Sequence, residues 1–128
     1  MNSLFALLIG HLVGDFLFQT DRMAQKKAQK GMNGALWCTF HAAAYTTCVC
    51  LCLWTRDPLI IGLIFLSHWP LDRYGMGAKW TTQIKGFDVA GAFKSGNQAL
   101  ITLAIIIPIA VDNTLHLLLM WPIVRFLL

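Results

Sequence analysis

The chain has 128 residues, 57% of them from the apolar set AVILMFWYC and only 12% charged, against roughly 45–50% and about 25% in an ordinary soluble domain. So little charge excludes a conventional water-soluble globule, and the length excludes a second domain, so residues 1–128 are expected to form one membrane-embedded helical domain. Six acidic residues, all Asp, stand beside ten Lys and Arg and four His, for a formal net charge of +4; no aromatic-rich basic patch of the kind that stacks bases is present, so no nucleic-acid partner is expected.

In chain order, residues 2–18 form an apolar run interrupted by His11 and Asp15, at about 1.5 Å per residue just long enough to cross a bilayer. It lacks the basic start and small-residue cleavage site of a signal peptide, so a retained first transmembrane helix is expected. Residues 19–34 read as a polar, basic connector. Residues 35–54 carry no formal charge and His41 as their one imidazole, which makes them the second span. Thr55-Arg56-Asp57-Pro58 reads as a tight turn, with Pro58 placed to open the next helix over 59–74, the third span. Residues 73–98 are polar and Gly-rich, and read as a long loop with one interfacial helix carrying Phe87, Val89 and Phe93. The stretch 99–128 leaves two versions open. One is a single kinked span from about 98 to 120 with Pro108 at the kink. The other is a short span followed by a fifth, short or re-entrant helix that starts at Asp112 as its N-cap. The fold class is therefore all-α, an integral membrane bundle of about four transmembrane helices.

Eight of the ten basic residues fall in the two long connectors, as Arg22, Lys26, Lys27 and Lys30, then Arg73, Lys79, Lys85 and Lys94. The positive-inside rule then places both connectors in the cytoplasm and both termini outside, in a multi-pass protein of the inner (plasma) membrane. The five Trp mostly sit at span ends as interfacial anchors. Cys38, Cys48, Cys50 and Cys52 share one apolar segment and read as small packing residues rather than a disulfide framework or soft-metal ligands.

Three of the four His have an Asp one helical turn away: His11 with Asp15, His68 with Asp72, and His116 with Asp112. Spacing i to i+4 stacks two side chains on one face about 5–6 Å apart. Each pair taken alone is more readily a hydrogen bond satisfied within its own helix than a metal site. Taken together, the first three helices bring His11, Asp15, Gln19, His41, His68 and Asp72 toward the same cytoplasmic side. Asp112 is the exception: in a span starting near residue 98 it lies about 21 Å along the axis, toward the other face.

Intramembrane carboxylates are expensive and by default functional. Lys and Arg are absent from the helix centres, so no internal salt bridge is expected. Imidazole and carboxylate are the donor set that suits zinc, iron or manganese, so a divalent metal is the expected compensation. The candidate ligands are His11, Asp15, His41, His68, Asp72, Asp112 and His116, with Gln19 and Tyr45 behind them. Small residues Gly10 and Gly14 beside the His11–Asp15 face point to close helix packing.

The segment Gly10-His11-Leu12-Val13-Gly14-Asp15-Phe16-Leu17-Phe18-Gln19-Thr20-Asp21, the lone His41, the element His68-Trp69-Pro70-Leu71-Asp72 and the late Val111-Asp112-Asn113-Thr114-Leu115-His116-Leu117 together resemble the family called domain of unknown function 3307. That is a group of small bacterial and phage membrane proteins, and the resemblance spans nearly the whole chain. Pro70, and Asn113 where a Gln is usual, depart from the commoner pattern. The resemblance implies the grouping of His11, Asp15, Gln19, His41, His68, Asp72, Asp112 and His116, and no reaction.

The first expectation of function is a metal-dependent hydrolase whose site opens to the headgroup region, with Asp15 or Asp72 as general base and a lipid-linked or amphipathic substrate. The alternatives are an ion or proton carrier or channel using the same residues, in which a homo-oligomer is one arrangement, and a small phage-type pore former. The lipid bilayer is the expected partner in all three.

Overall fold

The computed structural model describes residues 2–128, and among these every regular element is helical. In order they are α1 (Ser3–Leu12), which runs into a π-helical turn (Val13–Leu17), α2 (Asp21–Lys26), α3 (Gly31–Leu53), α4 (Pro58–Arg73), α5 (Met76–Lys79) with a second π-helical turn (Trp80–Ile84), α6 (Val89–Lys94) and α7 (Gln98–Leu127).

The helix starts follow from short polar side chains that accept the first free N–H groups. Thr20 Oγ1 accepts from Met23 N at 3.2 Å to start α2. Asp57 Oδ1 accepts from Leu59 N at 2.8 Å, with Pro58 at the first helical position of α4 as expected. Asn97 Oδ1 accepts from Ala99 N at 2.9 Å to start α7. At the far end of α3, Trp54 takes the left-handed conformation (φ 55°) that closes the helix before the Thr55–Pro58 turn.

Helices α1, α3, α4 and α7 pack in a closed ring, each touching the next, while α5 and α6 lie along α7. Gly10 and Gly14 bring α1 onto α3: a Cβ at Gly10 would lie 2.8 Å from Val49 Cα, and one at Gly14 3.2 Å from Tyr45 Cα. One half of the ring is filled by Leu7, Val49, Cys50, Ile60, Ile64, Met120 and Val124. Most of these lie one or two turns from a buried His on the same helix face, and they close the bundle on that side. Cys38, Cys48, Cys50 and Cys52 are free thiols, the first three of them buried.

The structure corrects several expectations. Helix α3 begins at Gly31 rather than 35, and the basic connector before it contains α2. Residues 73–98 are not a long loop with one helix: α5, the second π-helical turn and α6 occupy much of it. Of the two versions of the C-terminal stretch the single helix holds, running on to Leu127 rather than ending near 120: α7 is one helix of 30 residues with Pro108 and Pro122 inside it, so the version that starts a new helix at Asp112 is overturned and Asp112 is an interior residue and not a cap. Two helices, α3 and α7, are long and apolar enough to cross a membrane, and Ser3–Leu17 is a shorter apolar helix.

Candidate metal centre

The four histidines meet in the middle of the ring. His11, His41 and His68 have no exposed surface and His116 is 1% exposed, one from each of α1, α3, α4 and α7. Burial on this scale follows from the helix faces: Tyr45, one turn beyond His41, stacks flat on His68 with ring centroids 3.6 Å apart, and His68 lies 4.3 Å from His116. The depth conflict disappears because α7 is longer than its neighbours. Its first half runs alongside α5 and α6, and its midpoint reaches the level of His41 and His68.

The tightest group of donors is His41, His68 and Asp72. His41 Nε2 is 3.1 Å from His68 Nε2 and 3.0 Å from Asp72 Oδ2, and His68 Nε2 is 3.2 Å from that same oxygen. These three atoms form a nearly equilateral triangle. Bonds of about 2.0–2.1 Å in a tetrahedral array would put neighbouring donors about 3.3–3.4 Å apart, so the triangle is close to one face of such a site. Asp15 comes to the same nitrogens from the π-helical turn, its Oδ1 at 3.3 Å from His41 Nε2 and 3.7 Å from His68 Nε2. The turn makes i to i+5 bonds, Phe18 N to Val13 O at 3.1 Å, and such a widened turn re-aims the side chains on it relative to a regular helix.

His116 completes the ring. Its Nδ1–H donates to the Asp112 carbonyl oxygen at 2.9 Å, within its own helix, which leaves Nε2 with its lone pair directed inward, 3.6 Å from Asp72 Oδ1. Buried Asp15 Oδ1 and His116 Nε2 have no hydrogen-bond partner in the protein, a costly condition for groups withdrawn from water. Overlapping sets of three donors close enough to hold an ion are formed by Asp15, His68 and His116, by His41, His68 and Asp72, and by Asp72, Asp112 and His116.

His11 stands outside these sets, and its two ring nitrogens are engaged within the protein. Asn113 Nδ2 donates to the Ile109 carbonyl at 2.7 Å, so its Oδ1 faces His11 Nε2 at 2.7 Å and accepts from it. His11 Nδ1 then faces the Tyr45 hydroxyl at 2.8 Å and Asp15 Oδ2 at 3.4 Å. Gln19 does not reach the imidazoles. Its Oε1 accepts from Lys27 Nζ at 2.6 Å.

Lys27 overturns the expectation that no internal salt bridge forms. Its Nζ lies 2.7 Å from Asp72 Oδ2, because α2 folds back under the bundle and a long side chain can carry its ammonium inward from a surface helix. A cavity of about 410 Å³ borders this pair, lined among others by Asp15, Lys27, Asp72 and Asp112. With all three carboxylates ionised and the imidazoles neutral, the one ammonium would leave a net charge of two negative, which one divalent cation balances.

Sequence reasoning missed Lys27, Asn113 and Gly77. Lys27 looked like one more connector charge, and no spacing rule links it to Asp72. Asn113 was visible beside Asp112, but its role depends on a contact with a helix about a hundred residues earlier. Gly77 lets α5 approach α7, since a Cβ there would lie 2.9 Å from Asp112 Cα.

Comparison with curated proteins and with solved structures gives no match. A family model described as protein of unknown function (DUF3307) matches residues 3–125.

Proposed function

The chain belongs to the DUF3307 family, whose description assigns no activity, and we propose from the site itself that it is an intramembrane metal protein acting as a metal-dependent hydrolase. The observation that carries this reading is the triangle of His41, His68 and Asp72 donors beside a cavity that Asp15, Asp72 and Asp112 help to line. Two imidazoles and one carboxylate with an open fourth position are the ligand pattern of catalytic rather than structural zinc.

The membrane setting is part of the same proposal. The polar groups are inside and the apolar ones outside: Phe40, Leu51, Leu66 and Leu118 are each more than 60% exposed, while four His and Asp72 are buried. Lipid is the solvent that tolerates such a distribution over four helices. A four-span bundle with both basic connectors cytoplasmic puts the cavity, which Gln19, Lys27 and Gly75 help to line, on the cytoplasmic side. There α1 with its π-helical turn and α4 are about 22–24 Å long, shorter than the roughly 30 Å hydrocarbon core, which favours local thinning or access of headgroups to the site.

An ion held by His41, His68 and Asp72 would polarise an ester or phosphoester and acidify the attacking water. Asp15 Oδ1, unpartnered and within 3.7 Å of both ligand nitrogens, is placed to accept that water's proton. Asp72 serves as ligand rather than base, since its Oδ2 already lies on the triangle. The substrate that fits an entrance at headgroup depth is lipid-linked or amphipathic. A carrier or channel is disfavoured because the far half of the ring is packed with Leu7, Val49, Ile60, Ile64, Met120 and Val124, which leaves no polar path onward.

The test is metal analysis of the detergent-purified protein after incubation with zinc, iron(II) or manganese(II) and removal of excess. At least one ion per chain is expected in the wild type and a loss of at least tenfold in affinity in His41→Ala and His68→Ala, with helical content unchanged by circular dichroism. No stoichiometric ion in the wild type, or full retention in both folded variants, would sink the proposal.

A further inference from the structure

Asp72 sits between two donor sets and offers one oxygen to each. Oδ2 belongs to the triangle with His41 and His68. Oδ1 faces the other way, 3.6 Å from His116 Nε2, and Asp72, Asp112 and His116 each present an atom within 4.8 Å of the others. This second set has the property that distinguishes a ligand site from a mere acidic cluster: His116 is 1% exposed, and its Nε2 has no hydrogen-bond partner. The bond from Nδ1–H to the Asp112 carbonyl fixes the tautomer so that Nε2 can only accept.

We propose that Asp72 bridges two divalent ions, the first on His41 and His68 and the second on His116 and Asp112, so that the centre is binuclear. The inference rests on the metal reading above and extends it. One carboxylate spanning two ions is the usual way to hold a pair about 3.5–4 Å apart, and such pairs serve to stabilise the attacking and the leaving oxygen of a phosphoester together. Electroneutrality allows it. Asp15, Asp72 and Asp112 with two divalent ions and one hydroxide carry no net charge once the Lys27 ammonium leaves Asp72. Lys27 is suited to leave, because its carboxylate contact comes from the short helix α2 and its side chain is 17% exposed. Released into the cavity, that ammonium faces a bound substrate, and the substrate class this favours is a phosphoester.

The experiment loads the purified protein with manganese(II) alone and reads both stoichiometry and the electron paramagnetic resonance spectrum. Two ions per chain with an exchange-coupled spectrum are expected in the wild type. Asp112→Asn and His116→Ala are expected to hold one ion each, with the signal of isolated manganese(II). Asp112 is partly exposed, so its substitution tests the second position even if His116→Ala fails to fold. One ion per chain in the wild type, unchanged in Asp112→Asn, overturns the second position and leaves the metal reading standing. Two ions without coupling overturn the bridge, and no ion at all removes both proposals together.

Discussion

At His11 the two ring nitrogens are distinguished by their neighbours, and the distinction fixes what the residue can do. The Asn113 amide is oriented by its own bond to the Ile109 carbonyl, so His11 Nε2 donates and Nδ1 is left as the acceptor facing the Tyr45 hydroxyl. The residue therefore ties α1 to α3 through Tyr45 and to α7 through Asn113. Replacing Asn113 by Leu strands a buried N–H, which costs about 1–3 kcal/mol; the expected result is a lower midpoint of thermal unfolding in detergent with metal stoichiometry retained. Asp15→Asn separates base from ligand: it keeps the carbonyl oxygen and volume but cannot take a proton. We expect metal content within twofold of wild type, and hydrolysis of bis-(p-nitrophenyl) phosphate in mixed micelles reduced by about 10²-fold or more. Equal turnover in the two proteins would remove Asp15 from the role of base.

The elements that matter most are those that deviate from uniform helix. The π-helical turn at Val13–Leu17 carries Asp15 to the ring, and the six-residue helix α2 ends at its C-cap Lys27, which reaches Asp72. Packing of α1 on α3 depends on two missing side chains. Gly14→Ala would set a methyl 3.2 Å from Tyr45 Cα and closer still to its ring, forcing apart helices whose contact also seats Tyr45 on His68. Overpacking of this kind costs about 1–3 kcal/mol, and both a lower unfolding midpoint and weaker metal binding are expected. Asp57→Ala gives the contrasting case. It removes the cap of α4 far from the centre, so about 1 kcal/mol of stability should be lost while metal affinity stays as in wild type. Measuring both quantities on both variants checks whether the bundle and the centre are coupled through α1.

For the whole molecule the testable statement is its placement in the bilayer. Single-cysteine reporters at Lys30 and Lys85, in a background with the four native cysteines replaced, should react with a membrane-impermeant maleimide from the cytoplasmic side only, and a reporter at Arg56 from the opposite side only. Labelling of all three from one face would exclude the four-span arrangement. In the proposed centre the ligands come from α3, α4 and α7, so stripping the metal should also lower stability: an ion at a hundred times its dissociation constant contributes about 2.7 kcal/mol. The check is a drop in unfolding midpoint on adding a chelator, restored by excess zinc, and absent in His68→Ala.

The chain's apolar composition and its His–Asp spacing were enough to determine an all-helical protein with a few ionisable groups held inside, because hydropathy and i to i+4 periodicity are local properties. The same locality explains why α3 and α4 were readable to within a few residues and why a helix was expected near α6, and why the short helices α2 and α5 were not: they owe their existence to caps and to packing on α3 and α7. Which donors meet was a tertiary decision. Asp112 looked too far along its helix until α7 proved to be continuous and longer than its neighbours, and Lys27 looked like an ordinary connector charge until α2 folded back beneath the ring. Spacing along one helix brings two side chains together; only the packing of α3 on α4 sets His41, His68 and Asp72 at distances that could hold a metal, and only α7 brings His116 to the other oxygen of Asp72.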